Sequence, residues 1–214
     1  MKKNNAISSI SLGLLTIIYT LLVRFYDYRA IGPNDSYVGF ANLNGAFHRL
    51  TKVHMSFDKI TDYLGLILIA LVVFYAGIGL IQLIKRKSIK KVDKEIILLG
   101  IFYGILAMIF VLFEMIKLNY RPILVDGKLD ASFPSTHVFL SLFIGYSAIL
   151  VNKKLFKKPL VINIIIALVT IAIIVLRTVS GIHWLTDIVG ALLYAGTLSY
   201  IYYSLISYKK KSNS

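Results

Sequence analysis

Two short segments, RTVSGIHWLTD at 177–187 and ASFPSTHVFL at 131–140, each set a histidine at the entrance of an apolar run. In the first, His183 and Asp187 stand at i and i+4, the spacing that puts two side chains on one face of a helix's opening turn. A carboxylate there takes a hydrogen bond from one ring nitrogen and leaves the other free to attack an electrophile. The same spacing also describes a capping pair with no chemistry. Arg177, six residues before His183 with Gly181 in the turn between, offers a planar fork suited to phosphate oxygens, although an arginine near a helix end can also snorkel to the interface.

In the second segment, Pro134 and Ser135 read as a helix start with Ser135 or Thr136 as cap, and the free amides of such a first turn form an anion site. His137 would then stand beside a bound anion, placed to protonate a leaving oxygen; the alternative is an ordinary capped helix whose histidine faces headgroups. Lys117 and Arg121 are four apart in KLNYRP and share a face if the helix runs on to Pro122. Taken together, three cations, a helix N-terminus, a carboxylate-oriented histidine and a second histidine are the parts for phosphoryl transfer through a phosphohistidine. No acidic cluster suggests a metal, so neither metal nor cofactor is expected. His48 and His54 lack acidic or histidine partners at ligand spacing, and Trp184 reads as an interfacial belt residue.

The elements that must carry these residues are membrane helices. The 214 residues are 57% hydrophobic and 16% charged, with a mean hydropathy of +0.76; soluble domains of this length rarely look so. The absence of cysteine rules out disulfides and thiolate metal sites. Six stretches approach the roughly 20 apolar residues of a membrane span, at about 6–24, 61–84, 95–117, 135–152, 159–179 and 184–208. The first follows Lys2 and Lys3 but has no small-residue cleavage site after it, so it reads as a retained helix. The fold expected is all-α and polytopic, a single domain over 1–214. In the first outer loop, Phe40, Leu43, Phe47, Leu50 and His54 recur at steps of three and four, which predicts an amphipathic helix lying in the interface, either as a lid over a lipid entrance or merely packed on the bundle.

Charge sets the orientation. The net charge of +14 is not that of a nucleic-acid binder, because 15 of the 24 basic residues fall in four clusters between or beyond the apolar runs: Met1–Asn5, Lys85–Lys94, Asn152–Lys158 and Tyr208–Ser214. Six helices put all four on one side, which the positive-inside rule makes cytoplasmic, with both termini. The loops bearing ASFPSTH and VSGIHW then face outward together.

At this point the chain resembles the type 2 phosphatidic acid phosphatase (PAP2) superfamily, whose signature is written K-x6-RP, PSGH and SR-x5-H-x3-D. Arg121-Pro122, Pro134-Ser135-Thr136-His137, and Arg177 followed by His183 and Asp187 stand at the family spacing. The resemblance implies His183 as nucleophile, Asp187 as its partner and His137 as acid, with Arg121, Arg177, Ser135 and the Thr136 amide on the phosphate. Three positions depart from the signature: Glu114 stands where the family has lysine, so that the first cation is either missing or replaced by Lys117 one turn nearer; Thr136 replaces glycine; and Leu176 replaces serine.

The expected function is hydrolysis of a lipid phosphate at the outer face of a plasma membrane, bacterial in view of the compact chain and short loops. The resemblance implies phosphatidic acid, phosphatidylglycerol phosphate or undecaprenyl pyrophosphate as substrate classes. The rival readings are a lipid phosphotransferase using the same site, a non-catalytic anion binder or transporter, disfavoured by the lack of an internal repeat, and a serine protease built on Ser135, for which no separate base is evident. The partners expected are the lipid substrate and the bilayer.

Overall fold

The computed structural model describes residues 3–207. Met1, Lys2 and the basic tail from Tyr208, which entered the orientation above, lie outside the described residues. Seven helices run in the order α1 (Lys3–Phe25), α2 (Ala41–Thr51), α3 (Met55–Arg86), α4 (Lys94–Ile116), α5 (Thr136–Leu155), α6 (Leu160–Val179) and α7 (Leu185–Ile206). A two-stranded antiparallel hairpin, β1 (Arg29–Ala30) with β2 (Tyr37–Val38), sits between α1 and α2, pairing Arg29 with Val38 and Ala30 with Tyr37. All helices but α2 are long and apolar enough to cross a membrane, and the chain is a multi-pass membrane protein.

Helix α5 occupies the centre, packed against α3, α6 and α7, and it is the most buried of the six. Its Val138, Phe139 and Phe143 meet Leu99, Phe102 and Leu106 of α4 and Tyr202 of α7, with the Phe102 and Phe143 rings stacked at 5.7 Å. Because lipid is as apolar as these side chains, the helices are held by close packing and interhelical hydrogen bonds. Gly145 lets α5 approach α6 closely, since a Cβ there would strike Thr170 Oγ1. Between α1 and α7, Thr16 bonds Thr197 at 2.9 Å and Thr20 bonds Tyr194 at 3.0 Å. Ile10, Leu14 and Ile18 of α1 and Leu66, Ile69 and Val73 of α3 remain exposed to the hydrocarbon.

Three differences from the sequence reading bear on the site. Helix α3 begins at Met55, six residues before the expected start, and its 32 residues span about 48 Å at 1.5 Å per residue. That exceeds the roughly 30 Å hydrocarbon core, so its first turns, with Asp58 and Asp62, can stand above it. Helix α4 ends at Ile116, where Lys117 turns left-handed (φ 49°), rather than running on to Pro122. Lys117 and Arg121 therefore do not share a helical face. Helix α2 forms as expected in the first outer loop but covers only Ala41–Thr51: Phe40 is its left-handed N-cap and His54 lies beyond it. It buries Ala41 and Asn44 and leaves Leu43 and Leu50 exposed, so a polar residue points inward.

Candidate active site

One end of the bundle gathers the first turns of α3, α5 and α7, the last turns of α4 and α6, and the loops between them. The α4–α5 loop folds back on itself: Arg121 N–H donates to Asp130 O (3.0 Å) and Ser132 N–H to Asn119 O (2.9 Å), below a turn at Val125–Lys128. This hairpin sets Asn119 and Ser132 side by side. At the α6–α7 turn, Gly181 is left-handed (φ 68°) and packs on the Lys52 carbonyl, where any Cβ would clash, and His54 N–H donates to Ser180 O at 2.8 Å. The loop carrying α2 is thereby fastened to the turn that holds His183.

His183 is 4% exposed and lies two residues before α7, with Trp184 as N-cap; the expected shared opening turn is not how it meets Asp187. Its Nδ1 is 3.8 Å from Asp187 Oδ2, beyond a hydrogen bond. Nδ1 instead lies 3.1 Å from both the carbonyl and the hydroxyl oxygen of Ser132. The Ser132 hydroxyl in turn donates to Asp187 Oδ2 at 2.5 Å. A carbonyl only accepts, so Nδ1 carries the proton and Nε2 keeps its lone pair. That Nε2 is buried and has no hydrogen-bond partner among the described residues.

Asp187 is fully buried, and its remaining bonds come from Asn119 Nδ2 (3.1 Å) and the Trp184 amide (2.9 Å). Burial pushes the His183 pKa down to about 4; Asp187 pulls it up, while the nearby Arg121 and Arg177 lower it further. The ring is neutral at pH 7.

The second histidine has different company. His137 Nδ1 lies 2.8 Å from Arg177 Nη2, and its Nε2 lies 3.1 Å from Asp62 Oδ1. Arg177 is 2% exposed, so it is a buried cation and not a snorkelling one; its Nη1 pairs with Asp58 and donates to Thr61 Oγ1 at 3.1 Å. A buried charge needs such a counter-charge. Ser135 occupies the N-cap position of α5, fully buried, but its side chain makes no capping bond; its amide is bonded to Asp187 O at 3.1 Å, while its Oγ and Arg177 Nε join His183 Nε2 as buried polar atoms without a partner among the described residues. Buried polar atoms in native proteins are normally satisfied, so three orphans on interlinked residues mark a place for a polar ligand. Thr136 opens α5, and the amides of that first turn have no intrahelical acceptor.

The structure thus brings His183, Asp187, Ser135, His137 and Arg177 together. Arg121 stands nearby, ion-paired to Asp130 (3.1 Å) and felt electrostatically by both histidines. Lys117 is exposed at the α4 cap and makes no ion pair with Glu114 among the described residues. Trp184 is buried rather than interfacial, its indole N–H donating to Tyr120 O at 2.7 Å and its ring edge-on to His48 at 5.4 Å. Ser132, Asn119, Asp58 and Asp62 were missed by sequence reasoning. The i, i+4 spacing of Asp58 and Asp62, at the mouth of an apolar run, was the available signal; nothing local distinguishes Ser132.

From beside His137, an apolar groove of about 100 Å³ runs between α3, α5 and α6, lined by Gly65, Leu68, Ile69, Leu140, Ile144 and Ile173. Three comparisons bear on this architecture. The family model described as PAP2 superfamily matches residues 114–211. No curated protein sequence matches the chain. A solved crystal structure of a transmembrane PAP2-type phosphatidylglycerolphosphate phosphatase from Bacillus subtilis superposes with a TM-score of 0.64 at 19% identity, covering 95% of this chain and 98% of that one.

Proposed function

Through residues 114–211 the chain belongs to the PAP2 superfamily, and from that premise we propose that it is an integral membrane phosphatase hydrolysing a lipid phosphate through a phosphohistidine. The single observation that carries this reading is His183: a buried neutral imidazole with Nδ1–H held and Nε2 free. Attack of Nε2 on phosphorus needs that lone pair and leaves a cationic ring, which Asp187 stabilises through Ser132. Arg177, Arg121, the Ser135 hydroxyl and the Thr136 amide bind the phosphoryl oxygens, and Lys117 attracts the anion from the rim. His137 protonates the departing oxygen and later draws a proton from the attacking water.

The groove below His137 suits the substrate's hydrocarbon chain. Phosphatidic acid, phosphatidylglycerol phosphate and undecaprenyl pyrophosphate all join a chain to a terminal phosphate, and phosphatidylglycerolphosphate is what the named Bacillus subtilis enzyme acts on. The basic clusters support a site on the outer face of a plasma membrane with the termini inside. Purified protein in EDTA should release phosphate from a panel of these lipids and lose the activity in His183→Ala. Silence from both would overturn hydrolysis; release only when an acceptor lipid is supplied would make the protein a phosphotransferase.

A further inference from the structure

Helix α3 contributes two carboxylates one turn apart to the site, and neither belongs to the motifs that located it. Asp58 pairs with buried Arg177, which fixes the face that α3 presents to α5 and α6. Asp62 lies on the same face, its oxygen 3.1 Å from His137 Nε2, with its side chain 55% exposed toward the aqueous end. The donor on the other side settles the tautomer. Arg177 Nη2 can only donate, so His137 Nδ1 accepts, and the neutral ring's proton is on Nε2, facing Asp62.

We propose that Asp62 is the positioning carboxylate of His137, so that the site holds two carboxylate–histidine pairs, Asp187 behind the nucleophile and Asp62 behind the acid. This rests on the phosphatase reading above. The charged groups around His137 explain the need. Arg177 on α6 and Arg121 on the α4–α5 loop oppose a positive ring, and Asp58 is engaged by Arg177, which leaves Asp62 as the carboxylate in contact with the imidazole.

When substrate phosphate takes up the Arg177 donor, Nδ1 is released and takes the proton of the entering monoester's hydrogen phosphate, so that the substrate becomes the dianion and the ring an imidazolium. As the N–P bond forms at His183 Nε2 and the P–O bond breaks, that proton passes from Nδ1 to the leaving oxygen, while Nε2–H stays on Asp62. In the second step water attacks phosphorus, the N–P bond breaks and Nδ1 takes the water proton. Gly65, one turn below on α3, lies against the same ring: a Cβ there would stand in ordinary contact, 3.7 Å from His137 Cδ2.

A poor leaving group needs the acid, and a good one does not. The test therefore compares kcat/KM for dodecyl phosphate and 4-dodecylphenyl phosphate, which share a tail but differ in leaving-group basicity, in wild type, Asp62→Asn and Asp62→Glu. Asp62→Asn should lose roughly 10- to 100-fold on the alkyl ester, the usual cost of removing a residue that orients an active group, and markedly less on the aryl ester. Its alkaline limb of kcat/KM should move about one pH unit lower, because the imidazolium has lost its counter-charge. Asp62→Glu should recover part of the alkyl activity, and it carries the comparison if Asp62→Asn does not fold. Equal losses on both esters with an unmoved limb would reduce Asp62 to a structural contact and overturn the proposal. A wild type silent on both esters and on the lipid panel would instead overturn the phosphatase reading itself.

Discussion

The two histidines sit two residues from an α-helix on one side and inside one on the other, and their surroundings are opposite in kind. His183 is enclosed by uncharged donors and acceptors: the Ser132 hydroxyl and carbonyl touch it, and its carboxylate, Asp187, has no lysine or arginine ion pair among the described residues but is held by Ser132, Asn119 and the Trp184 amide. His137 is part of a charged chain, Asp62–His137–Arg177–Asp58, and its side chain is 31% exposed. The difference suits the roles proposed for them. A nucleophile needs a bare lone pair, which a dry site with one fixed N–H provides. An acid needs a ring nitrogen that can gain and lose a proton during turnover, which a facing carboxylate and partial exposure favour. One fold end supplies both because the two rings are supported by different elements: the α4–α5 loop and α7 for one, α3 and α6 for the other.

The sharpest break in this contrast is loss of the proposed nucleophile. His183→Ala should lower turnover by roughly 10³-fold or more, since no neighbouring group replaces Nε2; a phosphorylated-protein trapping assay should lose its acid-labile signal with it. Asp187→Asn should cost roughly 10²- to 10⁴-fold in kcat, by analogy with losing the orienting carboxylate of a triad. Ser132→Ala tests whether that carboxylate acts through the hydroxyl: a roughly 10- to 100-fold fall in kcat with little change in KM is expected, and a near-normal rate would return Asp187 to direct action.

Smaller effects separate charge from position. Asp58→Ala leaves buried Arg177 without its partner, and removing one member of a buried pair costs about 3 kcal/mol or more, to be read as lower thermal stability in detergent. The pH profile distinguishes the histidines: with the His183 pKa at about 4 in the free protein, kcat/KM should rise about tenfold per pH unit below that value and level off above it. The sign follows from which form is active, since protonation at low pH removes the lone pair. A limb near the ordinary histidine value of about 6.5 would show a solvated nucleophile. Lys117→Ala is expected to have the smallest consequence, a KM increase below about threefold for an exposed charge acting at the rim, yet larger than that of Glu114→Ala. Equal effects would remove Lys117 from any part in phosphate binding.

Much of the site was legible because membrane chemistry makes polar residues conspicuous. An ionisable group near hydrocarbon is costly, so Arg177, His183 and Asp187 stood out against apolar neighbours, and alternating basic clusters grouped their loops on one side. The same reasoning hid Asp58 and Asp62: the second apolar run was started at 61, so both fell within or at the edge of a loop where charge is ordinary. Trp184 was misplaced because aromatic residues near span ends usually face the interface, whereas here the indole has an internal acceptor in Tyr120 O. Of the apolar stripe read over 40–54 only Leu43, Phe47 and Leu50 lie in α2, and the inward contact is polar, with Asn44 bonding both Thr186 and Gly39.

By itself the sequence determined the six apolar spans, the grouping of the histidine-bearing loops at one end, and the residue types and spacings that resemble the PAP2 signature, because hydropathy and spacing are properties of the chain taken in order. Only the tertiary structure decided that Ser132 stands between His183 and Asp187, and that Asp62 reaches His137 across 75 positions of sequence. Those contacts depend on where α3 begins, where α4 stops, and how closely α5 packs against α6. Such matters are settled by helix packing and loop closure, and no local pattern of residues encodes them.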